Sequence, residues 1–88
     1  MQQLADEQKK ILFQIKKRQD EHGRESSTML MSAFKEQIDT YAPLLDSGLL
    51  TYERFGSGKD AMASLIVQPE GLAYCIKHHE ELEQLLQG

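Results

Sequence analysis

The stretch Leu44-Leu45-Asp46-Ser47-Gly48-Leu49-Leu50 reads as the end of one helix and the entry to a strand. Leu44 and Leu45 close an apolar helical pattern, and Asp46 and Ser47 leave it. Gly48 can take the left-handed conformation in which helices commonly terminate. The chain beyond it has strand character. Residues 49–55 are rich in Leu, Thr, Tyr and Phe, residues 56–60 form a Gly-rich tip, and residues 62–68 resume with Leu65, Ile66 and Val67. Two strands joined by a wing-like loop are expected.

Toward the C-terminus, Pro69 suits the first turn of a helix, with Gln68 near its cap and Glu70 placed favourably for its dipole. One helix running to about Gln87 is expected. Along it Leu72, Cys75, His79, Leu82 and Leu86 recur on alternating steps of three and four, a heptad seam widened by Ile76 and Leu85. Two heptads are too short for an independent coiled coil, but they suffice to dock on the hairpin and to pair with a second copy.

Toward the N-terminus, Leu30, Phe34, Ile38, Tyr41 and Leu45 keep a 3.6-residue period, so a helix should begin near Thr28, where Ser26, Ser27 and Thr28 offer capping oxygens. Pro43 interrupts it. An interior proline costs on the order of 3 kcal/mol, which predicts a break between Thr40 and Pro43 and either one kinked helix or two short ones. Further upstream, Leu4, Gln8, Ile11, Ile15 and Gln19 share one face of a first helix that ends near Asp20. Phe13 lies off that stripe and should pack against another element or contact a partner. His22, Gly23, Arg24 and Glu25 break the pattern.

With 88 residues the chain reads as a single domain, 1–88, near the size at which one apolar core can support a fold. A lone Cys75 points to a reducing compartment, with the cytoplasm as the default. No apolar run approaches the roughly 20 residues of a membrane span, and residues 1–7 lack a signal pattern. The net charge of −4 has the wrong sign for wrapping a polyanion. Its distribution is uneven: Lys9, Lys10, Lys16, Lys17, Arg18 and Arg24 fall in the first third, and Glu80, Glu81 and Glu83 crowd the end.

Catalytic and metal chemistry find little footing. Cys75 and His79 are four apart with His78 adjacent, but the next position on that face is Leu82, so a zinc ligand set is incomplete. No metal or cofactor is expected. Cys75 lacks a neighbouring base, and the Gly56-Ser57-Gly58-Lys59 turn joins two strands rather than the strand and helix of a phosphate loop. No carboxylate pair or triad is visible, and the chain does not read as an enzyme.

The stretch from Leu44 to Leu50, the hairpin, and Leu65-Ile66-Val67-Gln68-Pro69-Glu70-Gly71-Leu72-Ala73-Tyr74 together resemble small prokaryotic winged-helix proteins. In that family the third helix ends in leucine, polar, Gly, Leu, aliphatic, and the second wing strand passes into a helix through polar, Glu or Lys, Gly, aliphatic. The resemblance implies an α+β, mostly helical fold: N-terminal helices, a two-stranded hairpin wing and a C-terminal helix. It makes residues 29–33 the second helix, 35–47 the recognition helix and 56–60 the wing tip. It further implies a small DNA-binding transcriptional regulator that acts as a homodimer. Lys35, Gln37, Thr40 and Tyr41 would contact DNA from the reading helix, Arg54 and Lys59 from the wing, and Lys16 and Lys17 from the first helix. Phe13, His79, Leu82 and Leu86 would form the dimer interface. A rival expectation is a winged-helix-like protein-interaction module, an accessory or antirepressor protein that does not bind DNA. It is motivated by the net acidity, by Glu36 and Asp39 on the reading helix, and by the off-stripe Phe13.

Overall fold

The computed structural model describes residues 4–23 and 26–87. Arg24 and Glu25 of the expected break, and Met1, Gln2 and Gln3, lie outside the described residues. Helix α1, Asp6–His22, carries Asp6 and Glu7 in its first turn, where carboxylates oppose the positive end of the helix dipole. A short strand β1, Thr28–Leu30, leads into α2, Met31–Glu36, and α3, Ile38–Asp46. Strand β2, Leu50–Phe55, and β3, Met62–Val67, form the hairpin, with a 3₁₀ turn at Gly58–Asp60 in its tip. Helices α4, Pro69–Lys77, and α5, His79–Gln87, close the chain. The architecture is α+β with one antiparallel sheet in the order β1-β3-β2.

A specific hydrogen-bond pattern ends α3 within the Leu44 to Leu50 segment. Gly48 adopts φ 79°. Its N–H donates to the Leu45 carbonyl at 3.2 Å, and the Leu49 N–H donates to the Leu44 carbonyl at 3.1 Å. These paired bonds, with an apolar residue at each end of the longer one, are the Schellman arrangement, and they satisfy carbonyls that a helix end otherwise leaves open. Leu44 and Leu50 are both buried, so the turn delivers the chain from one core position to another.

Several expectations are corrected. Thr28 does not begin a helix: Thr28, Met29 and Leu30 pair with Ser64, Ala63 and Met62, and α2 starts only at Met31, whose N–H donates to the Ala61 carbonyl at 2.9 Å. The sheet is therefore three-stranded, and residues 29–33 straddle a strand and a helix. The break expected between Thr40 and Pro43 falls at Gln37, whose φ of −104° and ψ of 14° end α2. Pro43 stands inside α3, where it removes only the one bond that an N–H at this position would donate to the Asp39 carbonyl. Lys35 and Glu36 consequently belong to α2 and not to a reading helix spanning 35–47. The break also changes which side chains face inward, burying Met31, Phe34 and Leu44 while Leu30 and Ile38 of the expected stripe are exposed. Finally, the last helix divides at His78, where φ is −108° and ψ 25°. The bonds from the His78 N–H to Tyr74 and from the Leu82 N–H to His78 carry the chain through this bend.

The core lies between the inner sheet face and the helices, with Leu50, Ala63, Leu65 and Val67 meeting Leu12, Phe13, Phe34, Leu44, Cys75 and Leu82. Gln19, on the expected face of α1, donates from Nε2 to the Leu65 carbonyl at 2.7 Å. Where β3 passes into α4, the Gln68 N–H donates to the Leu49 carbonyl at 3.0 Å. Gly71 then rides directly over that turn. A Cβ there would overlap the Leu49 carbonyl oxygen and lie 2.8 Å from Val67 Cγ1. Alanine normally gains up to about 1 kcal/mol over glycine inside a helix. Here overlap with a fixed backbone oxygen outweighs that gain, and Gly71→Ala is expected to destabilise by about 2 kcal/mol, the range of overpacked cores. Urea unfolding measures it; a variant as stable as the parent would refute the close approach.

Candidate interaction surface

Helix α1 presents Lys9, Phe13 and Lys17 at four-residue steps, and α5 opens with His79, Glu80, Glu81, Leu82 and Glu83. Beyond the bend at His78, α5 packs on α1, and the two sets meet. Lys9 Nζ donates to Glu81 Oε1 at 2.8 Å, and Lys17 Nζ lies 2.9 Å from Glu83 Oε1. Each glutamate also faces a histidine: His78 Nδ1 is 3.3 Å from Glu81, and His79 Nε2 is 3.5 Å from Glu83. The bond between Lys9 and Glu81 holds the lysine above its usual range and the carboxyl below its own, since each charged form is favoured by the other.

Phe13 is 1% exposed, with the His79 ring edge-on at 5.8 Å and the Lys17 ammonium 5.0 Å from its ring centre. Leu82 is likewise buried, and Leu86 is partly buried against the core. This corrects the dimer-interface expectation for Phe13 and Leu82: both are buried within the one chain, where α5 packs on α1. Of the expected seam, Cys75 and Leu82 point inward while Leu72 and His79 are exposed, because the inward stripe runs through Gly71, Cys75, His78 and Leu82, offset from the expected one.

The residues expected to contact DNA are dispersed. Lys16 pairs with Asp20 one turn on, and Lys17 is held by Glu83. Tyr41 stacks on Phe34 at 5.9 Å, and its hydroxyl donates to Gln37 Oε1 at 3.3 Å, so two of the four candidate readers bond to each other. Phe34 also packs on Tyr52 of β2 at 4.6 Å, joining α2, α3 and the hairpin in one aromatic cluster. Lys35, Thr40, Arg54 and Lys59 are exposed. Across α2 and α3 Lys35 stands against Glu36, Asp39 and Asp46, and on the wing Arg54 and Lys59 are balanced by Glu53 and Asp60. Among the described residues no positive strip runs from the helix to the wing tip.

Two other surfaces carry apolar side chains to solvent. On the outer sheet face Leu30, Met62 and Phe55 sit opposite one another across all three strands, with Leu30 and Phe55 exposed. On α4, Leu72 and Ile76 are exposed, and another flank of the helix, with Glu70, Ala73, Tyr74 and Lys77, lines a groove bounded by the turn between α3 and β2. The ion pairs between α1 and α5 were not foreseeable from local pattern, since Lys9 and Glu81 are 72 positions apart; the only signal was the opposite charge of the two ends.

Among the described residues no group of three or more His, Cys, Asp or Glu side chains could hold a metal ion. No helix among them is long and apolar enough to cross a membrane. No family model, curated protein or solved structure matches the chain.

Cys75 is fully buried, and burial pushes its thiol up from 9.0 to about 11. The thiolate is the reactive form, so the native thiol should resist an aromatic disulfide reagent at pH 8 and react completely in denaturant. The sign of the linked stability is fixed by the same shift. An unfolded thiol ionises from about pH 9 while the folded one keeps its proton, so this contribution is complete below pH 9 and is lost as pH rises toward 11. Urea midpoints at pH 8 and pH 10.5 should separate more for the parent than for Cys75→Ala; equal separations would contradict the shift.

Proposed function

We propose that the chain is a winged-helix-like protein-interaction module that does not read DNA. The fold half of this reading is supported by two short helices joined by a tight turn at Gln37, followed by a hairpin with a Gly-rich tip and a closing helix that begins at Pro69. The functional half is carried by one observation: Lys9 and Lys17, two of the lysines of the basic first helix, are paired with Glu81 and Glu83 of the same chain. Phosphate contacts supply essentially all non-specific affinity for DNA, and each is a cation that must be free to displace counterions. A helix bearing Asp39 and Asp46 adds repulsion where base edges would lie.

The reading predicts that purified protein fails to shift any duplex in a mobility assay at about 50 mM salt, where phosphate contacts are strongest. A salt-sensitive shift by the parent protein would overturn it. The double variant Glu81→Gln plus Glu83→Gln frees two lysines and should acquire weak, non-specific binding that disappears near 200 mM salt, with a slope of about two released ions.

A further inference from the structure

The order β1-β3-β2 leaves β2 with one neighbour and one open edge. The bonds that bracket the sheet decide which main-chain groups line that edge. The Leu65 N–H donates to the Ser27 carbonyl at 3.0 Å and the Met31 N–H to the Ala61 carbonyl at 2.9 Å, so Ala61, Ala63 and Leu65 turn their main-chain groups toward β1. Met62, Ser64 and Ile66 turn theirs toward β2, and the bond from the Gln68 N–H to the Leu49 carbonyl continues that row. Their partners Phe55, Glu53 and Thr51 face β3 in return. The N–H and C=O of Tyr52 and Arg54 therefore point away from the sheet, and these four groups make no hydrogen bond among the described residues. The usual devices that close an edge are absent from this strand: it holds no proline, its pairing runs unbroken from Leu50 to Phe55, and every residue from Tyr52 to Phe55 is exposed. The opposite edge is only the three residues of β1, which run straight into α2.

We propose that the free edge of β2 takes an extended segment of a partner protein as a fourth, antiparallel strand, with the side-chain pattern apolar, acidic, polar, apolar. Main-chain bonds to Tyr52 and Arg54 supply the affinity of such strand addition, and neighbouring side chains supply its specificity. In antiparallel register the first apolar residue lies opposite Phe55 and extends the row of Leu30, Met62 and Phe55 on the outer sheet face. The acidic residue lies opposite Arg54, whose exposed guanidinium makes no ion pair among the described residues, and Glu53 stands on the other face of the strand. The last apolar residue lies opposite Tyr52, beside the ring of Phe34, where a β-branched side chain pairs well with an aromatic one. A second copy of the chain is a poorer occupant. The two-fold pairing of β2 with itself that uses all four groups sets Tyr52 against Arg54, and it places Glu53 directly against Glu53 of the other copy, a repulsive cross-strand pair.

This inference rests on the interaction-module reading, whose partner it names, and the two fail separately: a silent peptide titration overturns the strand addition, whereas a duplex shift overturns that reading. The probe is the peptide acetyl-Ser-Ile-Glu-Thr-Val-Ser-amide, titrated to about 5 mM into the isotope-labelled full chain, since four main-chain bonds of ordinary net strength give a Kd on the order of 1 mM. The amide protons of Tyr52 and Arg54 should move downfield as they gain acceptors. N-methylation of the peptide's Glu and Val removes the two N–H groups aimed at β2 and should abolish these shifts. N-methylation of its Ile and Thr, whose N–H groups point away, should preserve them. Arg54→Glu, at an exposed position, should bind the peptide about fivefold more weakly and recover when the peptide's Glu is replaced by Lys; circular dichroism confirms that the variant is folded. The proposal is overturned by resonances of Tyr52 and Arg54 that do not move, by methylated peptides that behave alike, or by an Arg54→Glu chain that binds as tightly as the parent. Concentration-dependent downfield shifts of the same two amides without peptide would assign the edge to a second copy and overturn it as well.

Discussion

The carbonyl of Leu49 is the point at which the ends of four elements are tied together. Its own N–H completes the termination of α3 on the Leu44 carbonyl, its oxygen receives the Gln68 N–H as β3 ends, and Gly71 of α4 passes over it with no side chain to hold it off. A side chain at position 71 would lift the start of α4 from the turn. The inward positions of Val67 and Cys75 depend on that helix lying where it does. The groove lies next to this contact, between α4 and the turn that ends α3. Backbone proximity, which only glycine allows, sets the direction of the closing helix.

From that direction comes the second organising contact. Beyond the bend at His78, α5 packs on α1, and apolar and charged contacts form together. Their energies are unequal. Exposed ion pairs contribute about 0–1 kcal/mol each, whereas fully burying a side chain such as Phe13 or Leu82 contributes about 1.5–3 kcal/mol. Packing therefore holds α5 in place. The lysine–glutamate pairs matter chiefly because they change what the α1 surface can bind, which is a question of available charge and not of stability.

These magnitudes explain what could be read from the amino-acid order. The α3 terminus, the hairpin and the helix start at Pro69 were legible because each rests on local chemistry: a left-handed glycine, a strand-forming run, a proline that lacks an N–H. Strand β1 was not legible, since three residues show no alternation and its only support is the distant β3. The break at Gln37 was misplaced because the apolar period runs smoothly across it and Pro43 offered a stronger local cue. The bend at His78 was hidden for a related reason: backbone bonds continue on either side of it, and three- and four-residue spacing survives a change of axis. Phe13 was left open between packing on another element and contacting a partner because a single helix was assigned a single face; the first holds, since α1 is covered by the sheet and α4 on one side and by α5 on another.

The same covering governs the candidate site. Without α5 packed on it, α1 would leave Lys9 and Lys17 open, and a phosphate-binding surface would be the natural reading of a basic first helix. That packing places the acidic start of α5 on both lysines, and Lys16 is held within its own helix by Asp20. A fold alone does not determine function; the side chains it brings together do. Here a helix of nine residues pairs two of the lysines of α1 with glutamates of the same chain, and leaves the uncovered apolar side chains of α4 and the outer sheet as the surfaces with the most to gain from a partner.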